Sequence, residues 1–361
     1  MFDCETVSWI GNEAFLRDFN RRASRQRIPL MGNLDLTHRC NLRCRHCYLD
    51  EASRAAREPG SELDTAAWLN VIDQVVDAGC LYMLLTGGEP LLRPDFARIY
   101  RYTKEKGCLV TVFTNGTRVD EPLLDLFSSL PPRHVEISLY GATPAVHDAI
   151  TGVAGSQRRS LAAIDRLLER GIQVRLKTIL MRDNLHEFYD LEAMARERGV
   201  AFRFDAAIFP RLSGDPAPLA QRVGVEEVVE REFADEIRRE EWRRFYDRFA
   251  GTPAADKLFV CGAGRTHFHV DPVGRLQPCL MVTSIAGDLK ESDFSTEWRC
   301  LGDRLEARKM PADSPCRACD RKSLCGYCPG FFELETGQNH QPVDFLCRLG
   351  HTRYEKIQEM I

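Results

Sequence analysis

The chain has 361 residues, of which 44% are hydrophobic and 28% are charged, and its formal net charge at pH 7 is -4. This composition is typical of a globular protein, and the slight acidity gives no support for binding to nucleic acid. No apolar run approaches the roughly 18 residues of a membrane span, and the N-terminus lacks the charged-then-apolar pattern of a signal peptide. We therefore expect a cytoplasmic protein that binds neither nucleic acid nor a membrane.

The sequence contains fourteen cysteines, which is a large number for a chain expected in the cytosol. That compartment keeps thiols reduced, so metal or cluster binding is the leading explanation for them. Ten of the cysteines fall into two groups. Three lie between residues 40 and 47. Seven more lie near the C-terminus, namely Cys261, Cys279, Cys316, Cys319, Cys325, Cys328 and Cys347, and Cys300 in the same stretch is counted with the scattered cysteines.

Residues 1–32 are expected to form an N-terminal helical extension. From residue 33 to about residue 210, short β-branched or leucine-rich runs alternate with longer amphipathic segments, as in repeated βα units. Six strands are predicted, namely NLDLT, LYMLLT, LVTVFT, HVEISL, QVRLKTIL and AFRFDAAIF. Helices are predicted at 64–78, 94–106, 156–170 and 185–198. Six units are too few for a closed eight-stranded barrel, so we expect a curved parallel sheet with its site at the C-terminal edge.

The remainder of the chain has a different pattern. Residues 211–251 are predicted as a loop and linker, in which a Pro/Gly-rich stretch precedes a solvated amphipathic helix from Val225 to Phe249. Residues 252–361 are rich in Cys, Gly and Pro and have few long periodic runs. We expect this small segment, with its C-terminal helix, to need metal crosslinks in order to fold.

Three cysteines, Cys40, Cys44 and Cys47, follow the first strand at the spacing C-x3-C-x2-C. Within eight residues the loop returns on itself, so the three thiolates can converge on one small metal centre. A structural zinc site needs a fourth ligand, for which His38 and His46 are candidates. A cubane iron–sulfur cluster with one open iron is satisfied by the three cysteines alone, and an open iron can bind a substrate or cofactor.

Glycine and polar residues follow the next three strands. LLTGGEPLL places Gly87, Gly88 and Glu89 at the end of the second strand, and FTNGT and ISLYG place Asn115 and Ser138 at the same edge. Glycines let backbone groups approach a ligand closely, and the ends of parallel strands face a common site. Taken singly, each of these short segments is more often a simple turn.

In this order the three cysteines and the GGEP segment resemble the radical S-adenosylmethionine (SAM) superfamily over residues 33–205. The resemblance implies a partial (β/α)6 TIM-like barrel and a 4Fe–4S cluster on the three cysteines, whose fourth iron chelates the amino and carboxylate groups of SAM. The GGE segment is expected to hold the SAM amino group, and polar residues of the next strands its ribose or carboxylate. The SAM contacts implied are Gly87, Gly88, Glu89, Asn115, Ser138 and Lys177.

The resemblance also implies the chemistry. The cluster, once reduced by a donor such as flavodoxin or ferredoxin, transfers one electron to the sulfonium of SAM. Cleavage then gives methionine and a 5′-deoxyadenosyl radical, which abstracts hydrogen from an unreactive carbon. Asp205, at the end of the sixth strand, is expected to face this site as a base or as a structural hydrogen-bonding group.

The seven C-terminal cysteines include the quartet CRACDRKSLCGYC, which by itself is compatible with a zinc ribbon. Downstream of a radical SAM barrel the arrangement resembles the SPASM domain, a small Cys-rich α+β extension that carries two auxiliary 4Fe–4S clusters. One departure is that the last pair of the quartet is separated by two residues, where the common pattern has three. The resemblance assigns auxiliary cluster I to Cys261, Cys279 and Cys328, and auxiliary cluster II to Cys316, Cys319, Cys325 and Cys347.

Auxiliary cluster I thereby has three cysteine ligands. The fourth iron either is bound by His267 or is open to a substrate or small molecule. In the second case His267 is an ordinary strand histidine. The two auxiliary clusters are expected to relay electrons from a substrate radical.

Similarity to SPASM enzymes implies a peptide or protein substrate, with a crosslink or an oxidised residue in a ribosomally made peptide as the product. A separate leader-binding protein is expected, because only some 32 residues precede the first strand. One alternative is a sulfatase-maturase-like enzyme that makes formylglycine, which is disfavoured because Leu280 stands where an aspartate is expected. Another is a dehydrogenase or dehydratase of a sugar or other small molecule. A non-catalytic iron–sulfur scaffold is a third, and it leaves the GGEP segment without a role.

Overall fold

The computed structural model describes residues 12–54, 61–249 and 256–360. Residues 1–11 of the expected N-terminal extension lie outside these ranges. In the described part of that extension, helix α1 spans Asn12–Gln26. Within the described residues, no helix is both long enough and apolar enough to cross a membrane.

Six parallel strands form the main part of the sheet. They are β1 Met31–Thr37, β2 Tyr82–Gly87, β3 Leu109–Thr114, β4 His134–Ser138, β5 Val174–Ile179 and β6 Ala201–Asp205. Each strand pairs in parallel with the next one along the chain. All six predicted strands are confirmed, and so is the α/β fold class with a partial (β/α)6 barrel.

Three short strands from the C-terminal part extend the same sheet. They are β7 His267–Val270, β8 Arg275–Gln277 and β9 Gly287–Asp288, and the full strand order is β6-β5-β4-β3-β2-β1-β7-β8-β9. Strand β7 pairs in parallel with β1, whereas β8 and β9 are antiparallel additions. The sheet therefore continues across the expected domain boundary at residue 252, and the domain limits remain a prediction.

Helices cover the sheet and connect its strands. Between β1 and β6 they are α2 Glu51–Arg54, α3 Thr65–Asp77, α4 Phe96–Glu105, α5 Glu121–Ser129, α6 Pro144–Thr151, α7 Ser156–Glu169 and α8 Phe188–Glu197. The four predicted helices correspond to α3, α4, α7 and α8. Asp64 begins α3 because its carboxylate accepts a hydrogen bond from the Ala67 backbone at 2.8 Å, a standard N-cap.

The remaining helices are α9 Val225–Glu232, α10 Glu236–Phe249, α11 Phe294–Ala307, α12 Pro329–Thr336 and α13 Asp344–Gln358. The prediction of one solvated helix from Val225 to Phe249 is wrong, because that segment forms two helices. Val228 and Val229 of α9 are fully buried, and Glu232 accepts hydrogen bonds from Arg353 of α13. Of these two helices, α10 is the solvated one, and none of its side chains is buried. The apolar stripe of α9 packs on the core, so this segment is more than a connector.

Strand β1 shows how the sheet places its core and its polar face. Leu34 and Leu36 are fully buried on one face of β1, where they belong to the main hydrophobic core. Asn33 and Asp35 alternate with them and face the concave side. The same alternation in the other strands gives the concave side a polar lining.

Candidate active site

A cavity of about 360 Å³, here called the chamber, lies against the concave side of the sheet. Its lining combines inward-facing strand residues with the loop that contains the three cysteines, residues 38–50, here called the cysteine loop. The polar strand residues in the lining are Asn33, Asp35, Thr86, Thr114, Glu136, Ser138, Lys177, Asp205 and His269. The expected position of the site, at the C-terminal ends of the parallel strands, is where the structure places this cavity.

Cys40, Cys44 and Cys47 all line the chamber. The loop that carries them turns sharply, since the Cys47 backbone donates to the Cys44 carbonyl at 3.2 Å and the Leu42 backbone donates to the Cys40 Sγ at 3.4 Å. Burial raises the pKa of the Cys44 thiol well above its ordinary value, and the neighbouring Cys47 and Cys40 raise it further. The structure thus brings the three predicted cluster ligands to one wall of the chamber.

The end of β2 lies directly against the cysteine loop. The Gly88 backbone donates to the Thr37 carbonyl at 2.7 Å, and the Glu89 backbone donates to the Arg39 carbonyl at 2.8 Å. A Cβ atom on Gly87 would lie 2.2 Å from the Thr37 carbonyl oxygen, and one on Gly88 would lie 2.4 Å from that of His38. Gly87 also has a φ of +131°, which favours glycine. The two glycines are therefore required for the loop to approach, in addition to lining the chamber.

Glu89 is fully buried and lies behind the chamber wall without contributing to its lining. Its carboxylate accepts hydrogen bonds from the Asn115 backbone and the Thr114 hydroxyl, each at 2.8 Å, and from the Leu91 backbone at 3.0 Å. Burial raises the pKa of Glu89 to about 7, against the opposing effect of these hydrogen bonds. In this arrangement Glu89 ties the end of β2 to the end of β3 and sets the position of Asn115.

Asn115 lines the chamber and links β3 to the cysteine loop. Its side-chain amide donates to the Asn41 Oδ1 at 3.0 Å, and its Oδ1 accepts from the Thr117 backbone at 2.9 Å. Ser138 and Lys177 are register partners on β4 and β5, and both line the chamber. Burial lowers the pKa of Lys177, and the nearby Arg203 lowers it further. Five of the six predicted SAM contacts thus line the chamber, and the sixth, Glu89, lies behind its wall.

The residues around the cysteine loop fit a negatively charged cluster. Within the described residues, no three His, Cys, Asp or Glu side chains converge closely enough to hold a single metal ion. Arg54 of α2 is buried next to the loop, and its Nε and Nη1 atoms have no hydrogen-bond partner among the residues that the structure describes. Burial raises the pKa of Cys40, Cys44 and Cys47, while Arg54 lowers it in each case. Three thiols next to a buried cation are a donor set that suits an iron–sulfur cluster.

His46, a candidate zinc ligand in the sequence, also lines the chamber. Its ring packs edge-on against Tyr140 with ring centroids 4.5 Å apart. Burial lowers the pKa of His46 to about 3, so its imidazole is neutral at physiological pH. The ring serves here as part of the aromatic wall beside the cysteines.

The seven C-terminal cysteines form two separate groups in space. The first contains Cys261, Cys279 and Cys328. Burial raises the pKa of Cys279 to about 12, and Cys328 and Cys261 contribute in the same direction. The Cys328 Sγ accepts a hydrogen bond from the Phe331 backbone at 3.4 Å, which begins helix α12.

The second group contains Cys316, Cys319, Cys325 and Cys347. Burial raises the pKa of Cys325 to about 12, and the other three thiols raise it further. Helix α13 lies close to this group, because a Cβ atom on Gly350 would be 2.7 Å from the Cys325 Cβ. The grouping in space is the one that the SPASM resemblance implies for the two auxiliary clusters.

Two residues near the first group bear on its role. His267 has its Nδ1 3.1 Å from the Thr266 hydroxyl, and burial lowers its pKa, so its assignment as a fourth ligand remains a prediction. Leu280, which follows Cys279, lines the chamber. The first C-terminal cysteine group therefore adjoins the chamber through the chain itself.

The sequence-based predictions missed several chamber residues, notably Asp35, Glu136 and His269. Glu136 accepts a hydrogen bond from the Arg203 guanidinium at 2.7 Å. Asp205, which was expected at this site, does line the chamber, and its Oδ1 accepts from the Ala207 backbone at 2.8 Å. The available signal was the alternation of strand residues, which places Asp35 and Glu136 opposite the core-facing Leu and Val residues.

Comparison with known proteins gives matches to a family model and to several characterised enzymes. The model of the Radical SAM superfamily matches residues 34–195. A PqqA peptide cyclase from Gluconobacter oxydans is 30% identical over 349 residues, covering 92% of this chain and 94% of that protein. The subtilosin biosynthesis protein AlbA from Bacillus subtilis is 28% identical and matches 100% of this chain and 80% of its own length. An AdoMet-dependent heme synthase from Methanosarcina barkeri is 26% identical, with coverage of 86% and 93%.

The fold agrees with solved structures as well. Streptococcus suis SuiB bound to precursor peptide SuiA superposes with a TM-score of 0.71 at 17% sequence identity, covering 97% of this chain and 84% of that one. The fold, the cysteine spacing and the similarity to a relative along 92% of this chain therefore all indicate the same superfamily. The chain belongs to the radical SAM superfamily and is an enzyme whose cofactors are SAM and 4Fe–4S clusters.

Proposed function

We propose that this enzyme modifies a ribosomally made peptide, in which it introduces a crosslink or an oxidised residue. Bound SAM and the reduced cluster supply a 5′-deoxyadenosyl radical that removes hydrogen from the peptide. The observation that carries the proposal is that the cysteine loop, the glycine segment and the strand-end polar residues all meet at one chamber. The relatives named as a PqqA peptide cyclase and a subtilosin biosynthesis protein support a peptide as the substrate.

The residues of the chamber wall have distinct proposed roles. Cys40, Cys44 and Cys47 hold the SAM-binding cluster, and the buried Arg54 guanidinium offsets its charge. The backbone of Gly87 and Gly88 and the side chains of the other wall residues orient SAM. These SAM contacts are proposed to be Asn115, Ser138 and Lys177, with Glu89 positioning Asn115 through its backbone hydrogen bond.

The C-terminal cysteine groups are proposed to hold two auxiliary clusters. Cluster I is bound by Cys261, Cys279 and Cys328, and cluster II by Cys316, Cys319, Cys325 and Cys347. Support comes from the separation of these thiols into the same two groups in space. Because Leu280 lines the chamber, the neighbouring Cys279 and the other residues that would hold cluster I adjoin it, and this cluster would supply a one-electron acceptor there.

Two further partners are proposed. One is an electron donor of the flavodoxin or ferredoxin type, which the one-electron reduction of the cluster requires. The other is a separate leader-binding protein that would present the proposed peptide substrate. We propose the cytoplasm as the location, because cluster ligation needs thiols that are kept reduced.

A small-molecule substrate is the second candidate. It is favoured by the similarity to an AdoMet-dependent heme synthase along 86% of this chain. The sulfatase-maturase alternative has less support, because the position after Cys279 is an apolar leucine that lines the chamber. A proton acceptor there must come from another residue.

The test is anaerobic incubation of the reconstituted enzyme with SAM, dithionite and synthetic peptides encoded beside the gene, followed by mass spectrometry. We expect one peptide to lose about two mass units, the two hydrogens removed in a crosslink or dehydrogenation. The variant with alanine at Cys40, Cys44 and Cys47 is the matched control, and it should leave every peptide unchanged. SAM cleavage with no change in any peptide, together with consumption of an added porphyrin, would favour the second candidate.

A further inference from the structure

Asp35 is a buried carboxyl group in the chamber wall that lacks a hydrogen-bond partner at one oxygen. Its side chain is 1% exposed, and its Oδ2 accepts no hydrogen bond from any described residue. Strand β1 turns Asp35 toward the chamber, on the face opposite Leu34 and Leu36. A buried polar group without a partner costs stability, so a ligand that completes its hydrogen bonding is the natural explanation.

Two imidazoles flank this oxygen without bonding to it. The His269 Nε2 lies 3.8 Å and the His38 Nε2 lies 3.9 Å from the Asp35 Oδ2. Both distances exceed those of a hydrogen bond. His269 is 2% exposed, lines the chamber, and has no hydrogen-bond partner at its own Nδ1 among the described residues. The two imidazoles therefore lie beside a carboxylate oxygen to which none of the described residues donates a hydrogen bond.

The other two carboxyl groups among the described chamber residues differ from Asp35. Glu136 is paired with the Arg203 guanidinium at 2.7 Å. Asp205 is exposed at the end of β6, and its Oδ1 already accepts a backbone hydrogen bond. Asp35 is thus the chamber carboxyl group with neither a cation nor solvent to stabilise a negative charge.

The surroundings of Asp35 favour its protonated form. Burial raises its pKa to about 8, and the negative charge of Asp271 on the same side of the sheet raises it further. Burial lowers the pKa of His269 to about 4, so that imidazole is neutral. The other titratable groups that face Asp35 are His38 and Tyr48. Because the raised value lies above neutrality, Asp35 carries a proton below about pH 8 and loses it above that pH.

We propose that Asp35, supported by His269, is a substrate-binding residue whose neutral carboxyl group donates a hydrogen bond to a carbonyl oxygen of the bound peptide. A protonated carboxyl group is a donor, and every peptide residue presents a carbonyl acceptor. This inference rests on the proposed peptide function, because it specifies how that substrate is held.

The protonation state is tested first, without any substrate. Infrared difference spectroscopy of the reconstituted enzyme at pH 7 should show the carbonyl stretch of a protonated carboxyl group, which Asp35→Asn removes. The band should disappear as the pH is raised through about 8. Glu136→Gln is the matched control, because it removes another buried chamber carboxyl group, one that is ion-paired with Arg203, and it should leave the band unchanged. An Asp35→Asn spectrum identical to that of the wild type would overturn the proposal.

Substrate binding is tested next, with the peptide that the mass-spectrometric experiment finds converted. At pH 7, Asp35→Leu should raise the KM for this peptide about ten-fold, the equivalent of one hydrogen bond, with little change in kcat or in the KM for SAM. Asp35→Asn keeps a donor and should stay near the wild-type KM. The wild-type KM should rise above about pH 8, whereas that of Asp35→Asn should not.

The outcomes separate the two proposals. If no peptide is converted by the wild type, the peptide function fails, and the role of Asp35 in peptide binding fails with it. If a peptide is converted but its KM is the same in Asp35→Leu, or if the KM for SAM changes instead, the role of Asp35 alone is refuted.

Discussion

The contact between Gly88 and the cysteine loop makes Gly88→Ala the most informative single substitution. The new Cβ would lie 2.4 Å from the His38 carbonyl oxygen and 2.5 Å from that of Arg39, where real Cβ atoms keep at least 3.0 Å. Both neighbours are backbone, so the loop itself has to move by about 0.6 Å, the difference between those distances. The two backbone hydrogen bonds that Gly88 and Glu89 donate to the carbonyls of Thr37 and Arg39 would lengthen.

The magnitude follows from these two effects. Overpacking typically costs about 1–3 kcal/mol, and each weakened hydrogen bond about 1 kcal/mol. We therefore expect Gly88→Ala to lower the free energy of unfolding by about 3–5 kcal/mol. Because the displaced loop carries three cysteines, the variant should also hold about four fewer of about twelve irons after anaerobic reconstitution.

The assay combines urea unfolding with iron and sulfide analysis of the reconstituted protein. Gly107→Ala is the matched control. A Cβ on Gly107 meets nothing within 4 Å, so this substitution causes no overpacking. Its only cost is the backbone strain of a non-glycine residue at a φ of +86°, about 1 kcal/mol. That control should keep its full iron content. A Gly88→Ala protein with wild-type stability and wild-type iron would refute the link between the glycine and the cysteine loop.

Two further substitutions test charges in the structure. Arg54→Gln removes the buried cation beside the cysteine loop, so the cluster should become harder to reduce, with a potential lower by tens of millivolts in redox titration. The exposed Arg45→Gln is its control and should change the potential far less, because solvent screens that charge. Arg353→Met leaves Glu232, whose side chain is 12% exposed, without its partner and should lower the free energy of unfolding by about 3 kcal/mol, against less than about 1 kcal/mol for the exposed Arg348→Met. Equal losses of unfolding free energy in Arg353→Met and Arg348→Met would contradict the difference in burial between these two ion pairs.

Much of the barrel was predictable because its strands are local patterns. The six strand segments are rich in β-branched and leucine residues, and a period of two fixes which residues face the core. The cysteine spacing likewise indicated a cluster loop, since its three thiols lie close together in the chain. These features depend on neighbours within a few residues.

Other features depend on contacts between distant parts of the chain. Strand β7 has four residues, and nothing in their sequence indicates that they pair with β1, more than 230 residues earlier. The chamber position of His269 follows from that pairing, as does its approach to Asp35. The close approach of the cysteine loop to Gly88, and the break between α9 and α10, likewise depend on packing partners outside the local sequence.

The most direct test of the account is to measure iron content and SAM cleavage together in anaerobically reconstituted protein. The wild type should hold about twelve irons in three four-iron clusters and should convert SAM to 5′-deoxyadenosine when reduced. The variant with alanine at Cys40, Cys44 and Cys47 should hold about eight irons and cleave no SAM. Tightly bound zinc with no reductive cleavage of SAM by the wild type would contradict the account.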